Sequence, residues 1–335
     1  MNRIAVVGCG AIADTFHLPG LARMPDSPKN LVLVDPDTGR AEKLARRHGA
    51  SETAASHRDV LDRIDAAIIA SPHHTHVPIA RDLVEAGIPV LSEKPLGVSL
   101  EEVTELAELA EARGVVVAVN QTRRFIPAAR ELGKLVRSGD LGSPLEVEAV
   151  EGDRFDWPAA TPSMFGARSG GRGLLLDIGA HVLDLMVEWF GPDLRVDDYL
   201  DDSFGGSEAS LLVRLSGPDV SIRIRLSWLA KQRNEFVISG PDGRARWGIY
   251  DLDRITLERP GGAREVRRAS APGAYSDLAV PVLQDFFAAV GEGTSPAAGP
   301  RDVLPSMRLM EECYARRSRF DIPWHDFDGD LSRVG

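Results

Sequence analysis

The sequence predicts a two-part α/β protein: a doubly wound parallel sheet in residues 1–121, then an α+β part in 122–335 built on an open, mostly antiparallel sheet. Three observations point there. Up to Val119, short apolar runs alternate with amphipathic stretches, as strand-helix-strand repeats do. After about residue 122 that rhythm gives way to strand-like segments in series. At 335 residues, the chain is also longer than one core ordinarily grows, which favours two.

The runs Arg3–Val7, Leu31–Asp35, Ala66–Ala70, Val90–Ser92 and Val115–Val119 are apolar without alternation, the pattern of strands covered on both faces. Between them, Ala13–Leu21, Gly39–His48, Val77–Ala86 and Leu100–Arg113 are amphipathic and read as helices. Ser99, with Glu102 three residues on, has the spacing of a capping box. Farther along, Pro127–Arg137 predicts a helix, and Ser138-Gly139-Asp140-Leu141-Gly142 leads into a strand at Leu145–Val150. From Ala209 to Val266 the strand candidates are divided by Gly217-Pro218-Asp219 and Gly240-Pro241-Asp242-Gly243, both strong turn signals. In Ser221–Leu226, arginines alternate with isoleucines, so one face is apolar and the other basic. A final helix, 301–319, places Val303, Leu304, Met307, Met310 and Tyr314 at core spacing.

Composition excludes several classes. The 43% hydrophobic and 27% charged fractions are those of a globular protein. With a formal charge of -11 and no basic stripe, nucleic acid is not an expected partner. No apolar run is long enough to predict a membrane span. Met1-Asn2-Arg3 runs straight into a strand, unlike a signal peptide, so the cytoplasm is the expected compartment. Cys9 and Cys313 are the only cysteines, which speaks against a disulfide framework or a structural zinc site.

The chemistry sits in a few segments. Gly8-x-Gly10-x-x-Ala13 follows a strand and opens a helix, the setting in which such a loop binds the pyrophosphate of a dinucleotide at a helix N-terminus. Standing alone, it would be only a tight turn. Asp35, at the end of the second strand, supplies the carboxylate for a ribose diol and would repel a 2′-phosphate, so NAD is expected over NADP. Arg40, one turn into the next helix, is the counter-signal, since it could reach toward such a phosphate. His73, His74 and His76 invite a metal reading, but they crowd one short loop at the carboxyl edge of the sheet, where contact with the nicotinamide half is favoured, and no metal is expected. Glu93-Lys94-Pro95 ends the next strand; an ammonium there can stabilise an alkoxide, with Glu93 holding or tuning it. Asp177 and His181, four apart, share a face if helical, and an imidazole suits removal of a hydroxyl proton. The competing reading is a core histidine capped by Asp177.

Together with Ser71-Pro72-x-x-x-His76, Arg123-Arg124-Phe125-x-Pro127 and Gly173-x-x-x-Asp177-x-Gly179-x-His181, these segments resemble, in order and spacing, the glucose-fructose oxidoreductase / inositol dehydrogenase (Gfo/Idh/MocA) family over nearly the whole chain. The resemblance implies a Rossmann domain followed by a substrate and oligomerisation domain, and hydride transfer between nicotinamide and a secondary hydroxyl or ketone carbon of a sugar, aminosugar, sugar nucleotide or cyclitol. It implies Lys94 contacting the reacting hydroxyl, His181 as acid/base and Asp177 orienting or polarising it. The cofactor set is then Gly8, Gly10, Ala11, Ile12, Asp35, Ser71, Pro72, His73, His76, Glu93, Lys94 and Gln121. Arg124, Trp157, Phe165 and Arg168 join Lys94, Asp177 and His181 at the substrate, the last aromatics and arginine lying on a loop, 153–173, that reads as a cover for the site. Arg172 departs from the family pattern, which often has a third consecutive glycine there. Reduction of an imine or a double bond, and a non-catalytic NAD(H)-sensing regulator, are the rival readings. A homodimer or homotetramer is expected, because an open sheet leaves a face to be covered.

Overall fold

Continuous apolar runs have one stable use in a parallel sheet, which is burial between two helical layers. In the computed structural model, which describes residues 2–25, 30–158, 172–203 and 206–320, six strands do this: β1 (Arg3–Val7), β2 (Asn30–Val34), β3 (Glu52–Ala54), β4 (Ala66–Ile69), β5 (Val90–Glu93) and β6 (Val117–Asn120). All pair in parallel in the order β3-β2-β1-β4-β5-β6. That order reverses direction at β1, so the carboxyl ends of β1 and β4 flank a crevice. The crossovers are α1 (Leu18–Arg23), α2 (Thr38–His48), α3 (His76–Glu85) and α4 (Leu100–Arg113). Ser99 caps α4 by accepting the Glu102 N–H, and Gly114 ends it in the left-handed conformation.

The second sheet is mixed. After α5 (Pro127–Ser138) come β7 (Leu145–Gly152), α6 (Ala180–Phe190), β8 (Arg195–Asp201), β9 (Ser210–Gly217), β10 (Val220–Ser227), β11 (Glu235–Gly240), β12 (Gly243–Gly248), β13 (Arg254–Glu258), β14 (Arg264–Arg268), α7 (Ala279–Glu292), α8 (Pro300–Ala315) and β15 (Ser318–Arg319). Nine strands line up as β14-β13-β12-β11-β7-β10-β9-β8-β15, antiparallel except for β7 with β10 and β8 with β15. Ile222, Ile224 and Leu226 are buried while Ser221, Arg223 and Arg225 are exposed, as the alternation requires. Helix α8 packs on α4 and β6 of the first sheet and on α6 and β8 of the second, tying the two together. Among the described residues no helix is long and apolar enough to cross a membrane.

Three elements differ from the sequence reading. The edge strand β3 has no apolar run to announce it, being Glu52-Thr53-Ala54. β8 went unread because its alternation is broken by a bulge between Val196 and Asp198. The last helix stops at Ala315 rather than 319: Arg317 turns back to Asp201 and Glu208, and Ser318–Arg319 pair with Leu200–Asp201 as β15.

Candidate active site

Gly8 lies at the end of β1 with φ +101°, and a Cβ there would sit 2.6 Å from the backbone of Ala70 and Ser71. Only glycine lets the turn pass that close to β4. Gly10 has open space where its Cβ would be, so a ligand's phosphates can approach the backbone. The helix that follows is α-helical at Ala11 and Ile12, passes through a π turn at Ala13–His17 and continues as α1. Asp35 follows β2 and is buried. Its Oδ2 accepts the Cys9 N–H at 2.9 Å and its Oδ1 the Asp37 N–H at 2.9 Å. Arg40 lies 3.3 Å from both oxygens and donates to Asp37 at 3.0 Å, so the arginine that was the counter-signal for a 2′-phosphate is already shared between two carboxylates.

The second cluster forms where β5 and β6 end. Glu93 is buried, and its Oε1 meets His17 Nε2 and the Asn120 amide, each at 2.7 Å; its Oε2 accepts the Lys94 N–H at 3.2 Å. Burial opposes ionisation of Glu93, but His17, Asn120 and Lys94 outweigh it and hold the carboxyl below its ordinary range. Lys94 Nζ crosses to the helix that follows β7, donating to Asp177 Oδ1 at 2.6 Å and to the Asp177 carbonyl at 3.0 Å. Despite burial, Lys94, His73 and Arg123 hold Asp177 ionised below the usual carboxylate range. Asp177 sits in a second π turn, Leu175–Gly179, which runs into α6. His181 follows in the first turn of α6 with Nδ1 buried and unpartnered among the described residues. Burial first, then the cations Lys94 and Arg123, push its pKa well below the ordinary value, so the ring is neutral near pH 7.

Lys94, Asp177 and His181 line a cleft of about 490 Å³ together with Ile12, Ser71, His73 and Glu93. The other walls include Asn120, Thr122, Tyr275 and a bank from the second sheet with Asp153, Phe155, Trp228, Ile249 and Tyr250. Phe155 meets Trp228 edge to face at 5.1 Å, and the Tyr250 hydroxyl donates to Asp153 at 3.0 Å. The second-sheet side thus sets aromatic rings among charged side chains, Glu151, Asp153, Arg154 and Asp156, and the junction of the sheets is charged as well. The cleft offers an ammonium, a carboxylate and a neutral imidazole on one surface.

Several expected residues stand elsewhere. Among the described residues Asp177 makes no hydrogen bond to His181; Lys94 takes its carboxylate, because a full opposite charge holds an aspartate better than a neutral ring does. Arg124 is turned from the cleft, with two hydrogen bonds of 2.8 Å to Asp184 and one to the Ala297 carbonyl. Its neighbour Arg123 lines the cleft instead, paired with Glu151 through two bonds of 2.7 Å. Gln121 is buried outside the lining, between Asn120 and Thr122, which are in it. Pro72 precedes the 3₁₀ turn His73–Thr75, and His76 is buried below the cleft with its ring nitrogens 2.8 Å from the Pro95 carbonyl and 2.7 Å from that of Ser71. Trp157 reaches the cleft mouth and is 44% exposed. Phe165, Arg168 and most of the expected covering loop lie outside the described residues. Arg172 is structural: it donates to the Val98 carbonyl and lies over the Tyr314 ring at 5.1 Å. The sequence reading missed His17, Asn120, Thr122, Arg123 and Tyr275 as site residues; Asn120 carried a signal as the last residue of a strand ending at this edge, and Arg123 as part of the Arg123-Arg124-Phe125-x-Pro127 motif.

Comparison with known proteins agrees with this geometry. Residues 2–121 match the model of an oxidoreductase family with an NAD-binding Rossmann fold, and residues 129–246 match the GFO/IDH/MocA C-terminal domain. The chain is 30% identical to an uncharacterized oxidoreductase of Escherichia coli, YdgJ, over 94% of its own length and 97% of the relative's. It is 35% identical to a myo-inositol dehydrogenase of Streptomyces leeuwenhoekii over 56% of this chain, a match that spans only about half of that relative, 54%. Its fold superposes with a TM-score of 0.83 on a levoglucosan dehydrogenase solved with NADH and levoglucosan, at 20% identity, over 94% of this chain and 97% of the other.

Proposed function

This chain belongs to the GFO/IDH/MocA oxidoreductase family, and we propose that it moves a hydride between a nicotinamide cofactor and the carbon of a secondary hydroxyl, or its ketone, on a sugar, aminosugar, sugar nucleotide or cyclitol. The observation that carries this reading is the Lys94–Asp177 contact beside His181 in one cleft. Gly8, Gly10, Ala11 and Ile12 hold the cofactor's phosphates, Asp35 its adenosine ribose, and Ser71 and His73 its nicotinamide half. When bound, the cofactor accepts or gives the hydride. An ammonium has three donors; Asp177 takes two, and the third is left for the reacting oxygen. Lys94 then stabilises the alkoxide as it forms, while neutral His181 accepts the proton. Because Lys94 and Arg123 repel an imidazolium, that proton does not stay on His181 but passes on to solvent. The aromatic bank of Phe155, Trp157 and Trp228 suits the C–H face of a ring substrate. The open face of the second sheet, basic along β10, is where a second copy would pack in a homodimer or homotetramer.

The test is NADH formation, followed by absorbance, with NAD and a panel of sugars, aminosugars, sugar nucleotides and inositols, beside a Lys94→Ala, His181→Ala double variant. Turnover that the variant loses is the expected result. A silent panel with NADH binding intact would sink the dehydrogenase reading in favour of a sensor.

Cofactor choice gives a separate expectation. Asp35→Ser removes the carboxylate that disfavours a 2′-phosphate and frees Arg40 to meet one. The ratio of NADPH to NADH affinity should rise at least about tenfold, equivalent to roughly 1.4 kcal/mol, in fluorescence titrations. An unchanged ratio would remove Asp35 from the cofactor site.

A further inference from the structure

The helix presenting Asp177 and His181 begins without a side-chain cap of its own, so the N–H groups of its first turn must find acceptors elsewhere. Glu208, from the connection between β8 and β9, supplies them. Its Oε1 accepts the N–H of Gly173 at 3.0 Å and of Leu175 at 2.9 Å, and its backbone carbonyl accepts that of Leu174 at 3.0 Å. Gly173 permits this approach: a Cβ there would lie 2.4 Å from the Glu208 carbonyl oxygen.

The carboxylate is itself held. It is fully buried, where an unpartnered charge would be costly. Tyr314 donates its hydroxyl to Oε1 at 2.9 Å, and Arg317 reaches Oε2 at 2.7 Å while also contacting Asp201 at 2.6 Å. Arg172 closes the corner, stacked over Tyr314 and bonded to the Val98 carbonyl in the loop after Lys94. One carboxylate thus joins the first turn of the Asp177–His181 helix to the end of α8, and Arg172 links the same corner to the loop after Lys94. Glu208 does not line the cleft, so any effect on chemistry passes through the helix.

We propose that Glu208 is a positioning residue, pinning the first turn of the helix so that Asp177 and His181 meet Lys94 in register, with Tyr314 and Arg317 fixing the carboxylate. The inference rests on the catalytic reading of those three residues given above. A displacement of about 1 Å in such a site costs on the order of 10²-fold in rate.

Hydrogen exchange by mass spectrometry, NADH titration and steady-state kinetics on the full-length Glu208→Ala and Glu208→Gln proteins test it. In the alanine variant, peptides covering 172–182 should exchange at least about tenfold faster while those covering 3–17 keep their protection, as a local opening requires. NADH affinity should stay within about twofold and kcat should fall about 10²-fold with little change in KM. Glutamine keeps the Oε1 acceptor and should restore kcat to within about fivefold of the parent. Unchanged exchange over 172–182 in the alanine variant would overturn the proposal. So would faster exchange along the whole chain with glutamine no better than alanine, the mark of a general packing residue. If the parent turns over no polyol, the dehydrogenase reading fails, while the exchange pattern still decides whether Glu208 pins the helix.

Discussion

Replacing Lys94 by methionine should lower kcat about 10³-fold, roughly 4 kcal/mol of transition-state stabilisation, with NADH affinity moving by less than about threefold. Methionine matches the lysine stem in length but has no donor, so packing in this buried position is kept and the charge is removed. Two losses combine. The alkoxide loses its ammonium, and Asp177 loses the cation that offsets its charge, so wherever Asp177 stays ionised its carboxylate faces the developing negative charge. The loss of rate should therefore be larger at high pH, where Asp177 stays charged, than at low pH, where it becomes protonated. Stopped-flow hydride transfer alongside steady-state kinetics separates chemistry from release. A variant within tenfold of the parent would take Lys94 out of the chemical step.

The cofactor-free protein should lose stability as the pH falls from 7 to 5.5, read from urea unfolding at each pH. Three histidines set the sign. Burial is the leading cause at each: it brings His73 down to about 3, lowers His76, and takes His181 well below its ordinary value. His73 and His181 are neutral when folded and His76 takes a proton less readily than in the unfolded chain, so below about pH 6.5 the unfolded state gains protons the native state resists. Each then removes up to about 1.4 kcal/mol per pH unit as the pH falls, until its folded pKa is reached. Glu93 and Asp177 act lower down: their depressed pKa values contribute stability that is present above the unfolded carboxyl range and lost only below it. Asp184 and Glu208, whose carboxyls burial raises, take up protons in the native state first and so oppose the histidine loss as the pH falls. A flat stability profile from pH 7 to 5.5 would mean that the histidines do not set the sign.

Much of the first sheet was legible because its signals are local. β1 and α4 have the bounds the sequence predicts, since an uninterrupted apolar run and a capped amphipathic stretch each report on their own residues. The nicotinamide-binding family was legible for the same reason, through the glycine loop and Glu93-Lys94-Pro95. What failed depends on direction or on distance along the chain. Arg123 and Arg124 are neighbours in a 3₁₀ turn, where each step rotates by a third of a turn, so one faces Glu151 across the cleft and the other Asp184 away from it. No composition rule separates two adjacent arginines. Asp177 and His181 were read as a pair from their spacing of four, yet the partner of Asp177 lies 83 residues away. His17 reads as part of an amphipathic helix until its turn widens and sends the ring to Glu93.

The position of α8 against β6 bears on how the chain survives its own synthesis. A parallel sheet has two rims of unpaired backbone, each a template for association with another chain. One rim, β3, is three residues long and carries Glu52, already engaged by Arg63. The other, β6, is apolar and buried, and there the Val119 N–H is taken by the Ala298 carbonyl at 2.8 Å just before α8 begins. The rim formed by β6 is thus sealed by residues far later in the chain, so until those are made the nascent chain carries an adhesive edge that the folded one hides.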